Sequence, residues 1–242
     1  MRNFLCCLAA FSFLSTQTAA QSSEQMLKTE VLAAHVSGLL SEADLILQRS
    51  IDLILKNNAP DRIIQADLEQ FVDSVDGIRA IIFIDRGGNL IHDSSRFPTI
   101  KMNLSSREYF SKTITASESD LVVAAPVLGK QSNIPFIPIA RVAKDKDRKV
   151  FGIAVAISQP QSWLNGANCS DCIVSIFNSS GQSLAANPSG TEELGGLFEK
   201  VDLNESSGAF LANVGVYPTV NVWKKITGHE DVIVLTTERL PD

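Results

Sequence analysis

The feature that most constrains this chain is the stretch from Ser23 to Asn57. Leu27, Val31, Ala34, Leu39, Ala43, Ile46, Ile51, Ile54 and Leu55 recur there at helical spacing, and the first proline of the chain is Pro60. Asn57-Asn58-Ala59-Pro60 is a stop signal. Residues 21–59 therefore read as one helix, roughly 50 Å long at 1.5 Å per residue. A stripe on so long a helix has two uses: packing on its own domain, and pairing with a second copy. Both are expected, with the first half of the helix reaching past the domain. His35 reads as a polar residue of this helix.

The residues before the helix have a different character. Met1-Arg2-Asn3 is a positive start, Phe4 to Leu14 is apolar, and Thr18-Ala19-Ala20 supplies small residues before Gln21. The apolar run is too short to span a bilayer, and the order matches a cleaved export signal over residues 1–20. An uncleaved anchor or a buried first helix is the competing reading. No later run is long and apolar enough to cross a membrane; Val150 to Ile157 is strand-sized. The expectation is a soluble chain in the periplasm or outside the cell. Loss of Arg2 takes the net charge from −6 to −7. An acidic chain without a basic stripe argues against nucleic-acid binding.

Of four cysteines, Cys6 and Cys7 lie in the leader, leaving Cys169 and Cys172. In an oxidising compartment these two are read as a local structural disulfide, ahead of free thiols and ahead of a redox site. No metal site is expected, because only three histidines exist and none is near this pair. No cofactor is expected either. No nucleophile motif or paired carboxylates stand at recognisable spacing, so the chain is read as a non-enzyme.

Beyond Pro60, a second helix reads to Val75. Then "IRAIIFID", Gly87-Gly88-Asn89 and Leu90-Ile91 make a hairpin. His92 follows it and is read as a surface residue. "NLSSREYF", residues 103–110, opens a helix running to about Ala116, with Ser105 or Ser106 as its cap. Three strands follow: Leu121 to Val127, Ile134 to Ala143 and Val150 to Ser158. Pro160 to Asn168 is a bridge with Trp163 as a packing residue. A shorter version of the same order comes next: strands Cys172 to Asn178 and Ser183 to Ala186, a short helix within Glu192 to Lys200, then strands Gly208 to Val214, Thr219 to Ile226 and Asp231 to Glu238. His229 is placed in the last turn. The fold class is α+β: antiparallel sheets, each with a helical side.

The order of these pieces resembles the double Cache family, the PAS-like extracytoplasmic sensor domains of bacterial chemoreceptors, histidine kinases and diguanylate cyclases. "NLSSREYF" is similar to that family's Asp-Leu-Ser-x-Arg-x-Tyr-Phe. "AAPVLGKQSNIPFIPIARVAKDKDRKVFGIAVAIS" and "CIVSIFNSSGQSLAANP" resemble the strands of its membrane-distal and membrane-proximal modules. The resemblance implies a long N-terminal helix, a distal PAS-like module over residues 60–160 and a smaller proximal one over residues 161–242. It implies that Arg107 and Tyr109, with Phe110 and Arg141, line a distal pocket. An arginine fork suits a carboxylate, and a ring covers the rest of a small molecule. The competing reading ties Arg107 to its own fold and makes Phe110 core.

Two departures bear on the ligand. Met102 stands where amino-acid-binding members carry tyrosine, and Ile157-Ser158-Gln159 lacks their amine-holding aspartate. A small anionic, carboxylate-like ligand is expected rather than an α-amino acid. The chain is read as an exported sensor that passes its signal to a membrane signalling protein, with a homodimer through the N-terminal helix. A ligand-free interaction or dimerisation module, or the input part of a truncated membrane receptor, stands as the alternative.

Overall fold

The structure, a computed structural model, describes residues 5–56, 59–117, 120–167, 172–188 and 195–240, with side chains described from Ser23 onward. Helix α1 spans Leu5–Lys56, so helical backbone continues through the segment read as a leader. Among the described residues, no helix is long and apolar enough to cross a membrane. Helix α2 covers Asp61–Asp73, with Pro60 at its N-cap position.

Two antiparallel sheets follow. The first is built from β1 (Ile78–Asp85), β2 (Leu90–Asp93), β3 (Val122–Val123), β4 (Val127–Leu128), β5 (Pro135–Lys144) and β6 (Val150–Ser158). Its order is β2-β1-β6-β5-β3, with β4 also on β5. Helix α3, Glu108–Ile114, closes its outer face. The second sheet holds β7 (Cys172–Asn178), β8 (Ser183–Asn187), β9 (Ser207–Val214), β10 (Tyr217–Ile226) and β11 (His229–Arg239), in the order β8-β7-β11-β10-β9. Helix α4 is the short turn Gly195–Phe198. Both sheets thus place the first hairpin at one edge and bring the last strand back beside its first strand.

Each sheet is apolar on both faces, and the two faces have different partners. Ile81, Phe83, Ile137, Ile139, Ala154 and Ala156 of the first sheet pack on Val36, Leu40, Ala43 and Leu47 of α1. Val174, Ile176, Val232 and Val234 of the second sheet join the same cluster. A single core therefore threads both sheets, with α1 as its spine. Each fully buried Leu, Ile or Val adds about 1.5–3 kcal/mol. The opposite faces carry separate clusters: Ile82, Ile84, Ile153 and Val155 with Tyr109 and Phe110 in the first, Phe177, Trp223, Ile233 and Leu235 with Leu197 in the second.

Polar contacts fix the register of α1 against the second sheet. The buried Gln25 amide donates from Nε2 to the carbonyls of Val220 and Thr236, each at 2.9 Å. Lys28 reaches Glu238 at 2.9 Å and Lys224 reaches Glu30 at 2.6 Å. Between the sheets, a 3-10 turn over Pro160–Leu164 buries Trp163 fully, and its Nε1 donates to Ser158 Oγ at 2.8 Å.

Several expectations change. The strand placed at Leu121 to Val127 is two short strands, β3 and β4, because Ala124-Ala125-Pro126 interrupts the ladder. Helix α3 starts later than expected, and neither Ser105 nor Ser106 caps it; Arg107 is its N-cap residue, without a side-chain cap. His92 is buried, 8% exposed, rather than on the surface. His229 is the first residue of β11, paired with Ile226, rather than part of the turn. Cys172 is disulfide-bonded at the start of β7; Cys169 lies outside the described residues.

Candidate functional site

The site lies on the outer face of the first sheet, and its frame is the β1–β2 hairpin. Gly88 sits at φ +84, a conformation glycine adopts without strain. It also permits close approach: a Cβ there would meet the Ser105 backbone at 2.8 Å. The segment after β2 is laced onto this turn. Leu104 N donates to Gly88 O at 2.7 Å, and Asn103 Nδ2 donates to Gly87 O at 2.9 Å. Asn103 Oδ1 accepts from Ser105 N at 3.0 Å and from Ser105 Oγ at 2.6 Å. This Asx turn uses up the serine that the sequence offered as a helix cap. Arg107 and Tyr109 follow directly, so their position is set by the hairpin.

Arg107 and Tyr109 both line a cavity of about 280 Å³. Its apolar wall is Ala80, Ile82, Leu90, Leu104, Phe136 and Ile157; its polar groups include Arg79, Asp93, Lys130, Gln131 and Ser132. Met102 also faces it. Arg107 Nη2 donates to Leu128 O at 2.8 Å, which holds the guanidinium at the rim. Its Nε is buried without a hydrogen-bond partner among the described residues. Lys130 Nζ donates to Asn103 O at 2.9 Å, and Asp93 Oδ1 accepts from Ser95 N at 2.9 Å. Three cationic side chains, Arg79, Arg107 and Lys130, thus share the cavity with one carboxylate, Asp93.

Tyr109 is 2% exposed and meets Phe136 edge-on, with ring centroids 6.4 Å apart. Burial pushes its hydroxyl up to about 12, against a smaller opposing pull from Arg107. The phenol is therefore a neutral group at physiological pH, able to donate one hydrogen bond.

Phe110 is packed in the cluster behind the cavity rather than lining it. Arg141 lies on the other side of the sheet. Along β5, Phe136 and Ala140 face α3 while Ile137, Ile139 and Ala143 face α1, and Arg141 shares the second parity. It is 8% exposed and ion-paired with Asp44 of α1. Sequence reasoning missed Arg79, Asp93 and Lys130. Asp93 carried a signal, as a polar break straight after a strand. Arg79 and Lys130 carried none beyond charge. Among the described residues, no group of His, Cys, Asp and Glu is arranged to hold a metal ion.

Solved structures match this architecture across nearly its whole length. The extracellular domain of the histidine kinase rpHK1S-Z16 aligns with TM-score 0.80 and 19% identity, covering 92% of this chain and 96% of that one. The ligand-binding domain of the Pseudomonas fluorescens chemoreceptor CtaA, solved with L-serine, aligns with TM-score 0.73 and 14% identity, covering 92% and 98%. That of the Campylobacter jejuni chemoreceptor Tlp3, solved with L-valine, gives 0.67 and 12%, covering 94% and 96%. Neither a family model nor a curated protein matches the sequence. The chain has the fold of extracellular sensor domains of chemoreceptors and histidine kinases. A long helix carrying two antiparallel sheets is the arrangement that the resemblance to the double Cache family implied.

Proposed function

We propose that this protein is an exported, non-catalytic sensor whose distal cavity takes a small anionic ligand and whose state is read by a membrane signalling protein. The observation that carries the ligand class is the buried, unpartnered Nε of Arg107 in a cavity where three cations face one carboxylate. An unmet buried donor costs about 1–3 kcal/mol, which an incoming acceptor would recover. The fork of Arg107 addresses a carboxylate, Tyr109 offers a neutral hydroxyl, and the apolar wall receives a short carbon skeleton.

Two Cache-type modules over residues 60–160 and 161–242, and a leader over residues 1–20, belong to this reading. So does self-association through α1. The fold supports an extracytoplasmic setting, since its structural relatives are extracellular domains.

The test is a thermal-shift screen of the purified chain against small carboxylates, amino acids, amines and purines. Ligand bound to the native state raises the melting temperature by mass action. A carboxylate hit that disappears in Arg107→Ala supports the proposal. A well-folded chain that responds to none of them, or responds equally with and without Arg107, overturns it.

A further inference from the structure

A second cavity, of about 310 Å³, opens where α1 meets the turns that lead into and out of the first sheet. Helix α1 contributes Leu39 and Glu42 to its wall, the turn before β1 contributes Asp76 and Gly77, and the turn after β6 contributes Ser162. The two turns are tied to each other, because Gln159 N donates to Gly77 O at 3.0 Å. Gly77, at φ +84, lets them close up: a Cβ there would meet Ser162 Cβ at 2.6 Å. His35 ties the second turn to the helix. Its Nε2 lies 2.7 Å from Ser162 O, and since a carbonyl only accepts, the ring donates. The chemistry of this wall is the reverse of that around Arg107. Among the described residues, no lysine or arginine lines it. Glu42 and Asp76 are exposed, and neither carboxylate has an ion pair or hydrogen bond among the described residues. Ser162 is only 9% exposed, yet its hydroxyl, on the wall beside Gly77, makes no hydrogen bond among the described residues.

We propose that this cavity binds a small organic amine. Glu42 and Asp76 accept from its ammonium, the Ser162 hydroxyl oxygen accepts a further hydrogen, and Leu39 lies along its carbon chain. An ammonium carries three donors, and the wall supplies three groups that can accept them. An organic cation fits better than a metal ion, because among the described residues no group of His, Cys, Asp and Glu is arranged to hold one. This site is separate from the anion cavity and does not rest on that reading. A ligand here touches the helix together with the entry and the exit of the first sheet, three elements that meet nowhere else around one cavity.

The test is isothermal titration of the purified chain with butylamine and 1,4-diaminobutane, with 1-butanol as the uncharged control, at about 0.15 M salt to screen diffuse attraction. At least one amine should bind and butanol should not. Glu42→Gln and Asp76→Asn should each weaken binding by about tenfold, and the two together should abolish it. Both residues are exposed, so the melting temperature of these variants should stay near that of the parent. Ser162→Ala, which leaves both charges in place, should weaken binding by about threefold. A chain that binds neither amine at about 10 mM overturns the proposal. So does binding that survives in the Glu42→Gln, Asp76→Asn double variant. An equal loss in Asp147→Asn, at the exposed β5–β6 tip, would mark attraction to an acidic surface and would overturn it as well. Arg107→Ala should leave amine binding unchanged while removing the carboxylate response, so the failure of one site is told apart from the failure of the other.

Discussion

Arg141 on β5 and Asp44 on α1 form an ion pair across the inner face of the first sheet, on the side away from the cavity. The arginine is nearly buried, while the carboxylate keeps partial contact with solvent. Removing Arg141 alone strands Asp44 against an apolar wall. Arg141→Ala should cost about 2–3 kcal/mol by denaturant unfolding, below the full cost of breaking a wholly buried pair. Arg141→Met combined with Asp44→Leu should recover most of the loss. Neither change should alter ligand response. A lost response with intact stability would place Arg141 in the cavity after all.

Arg107 and Tyr109 should separate fold from recognition. Arg107→Ala removes one hydrogen bond, to the Leu128 carbonyl, so the ligand-free protein should lose only about 1 kcal/mol. The carboxylate response should vanish in it. Tyr109→Phe keeps the ring contact with Phe136 and should weaken binding by about tenfold through loss of a hydroxyl donor. Isothermal titration measures both. A Tyr109→Phe variant with unchanged affinity would remove the hydroxyl from the binding account.

Gly88 gives a prediction about assembly of the site. Gly88→Ala would force a side chain into the Ser105 backbone at a positive φ. The expected cost is about 1–3 kcal/mol, with loss of the carboxylate response, because the Asn103–Arg107 segment rests on this turn. A variant that binds normally would show that the segment finds its place without the turn.

Buried His92 and half-buried His229 set the acid limit. Burial lowers the pKa of His92, with Asp61 opposing, and burial likewise lowers that of His229, with Asp44 opposing. Each is therefore protonated more readily in the unfolded chain, whose histidines titrate near 6.5. Below that value the unfolded state binds more protons, so stability falls as the pH drops from about 7 toward 5. The melting temperature of His92→Gln should fall less over this range. An unchanged slope in the double variant His92→Gln with His229→Gln would refute this cause.

Much of the architecture was legible because local signals agreed with it. β1, β6 and β7 end where β-branched runs meet glycine, asparagine or a charged turn. The side on which Arg141 projects was not legible. β5 is buried on both faces, so no polar alternation marks its phase. The break between β3 and β4 and the late start of α3 involve hydrogen bonds donated by Ala124 N to Pro138 O and by Ser105 N to Asn103 Oδ1, partners a linear reading does not supply. Arg107 and Tyr109 were found through the resemblance. Arg79, Asp93 and Lys130 come from three separate segments and meet only when the hairpin closes.

The shared core has a consequence for dissection. Val174, Ile176, Val232 and Val234 belong to the second sheet, yet their cover is the helix that also covers the first. Gln25, at the start of that cover, spends its amide on carbonyls near the end of the chain. A fragment holding either sheet without residues 23–56 would present a greasy flank to water and would aggregate rather than fold. The smallest autonomous folding unit is the helix together with both sheets, and gene fragments cut between them should yield inclusion bodies.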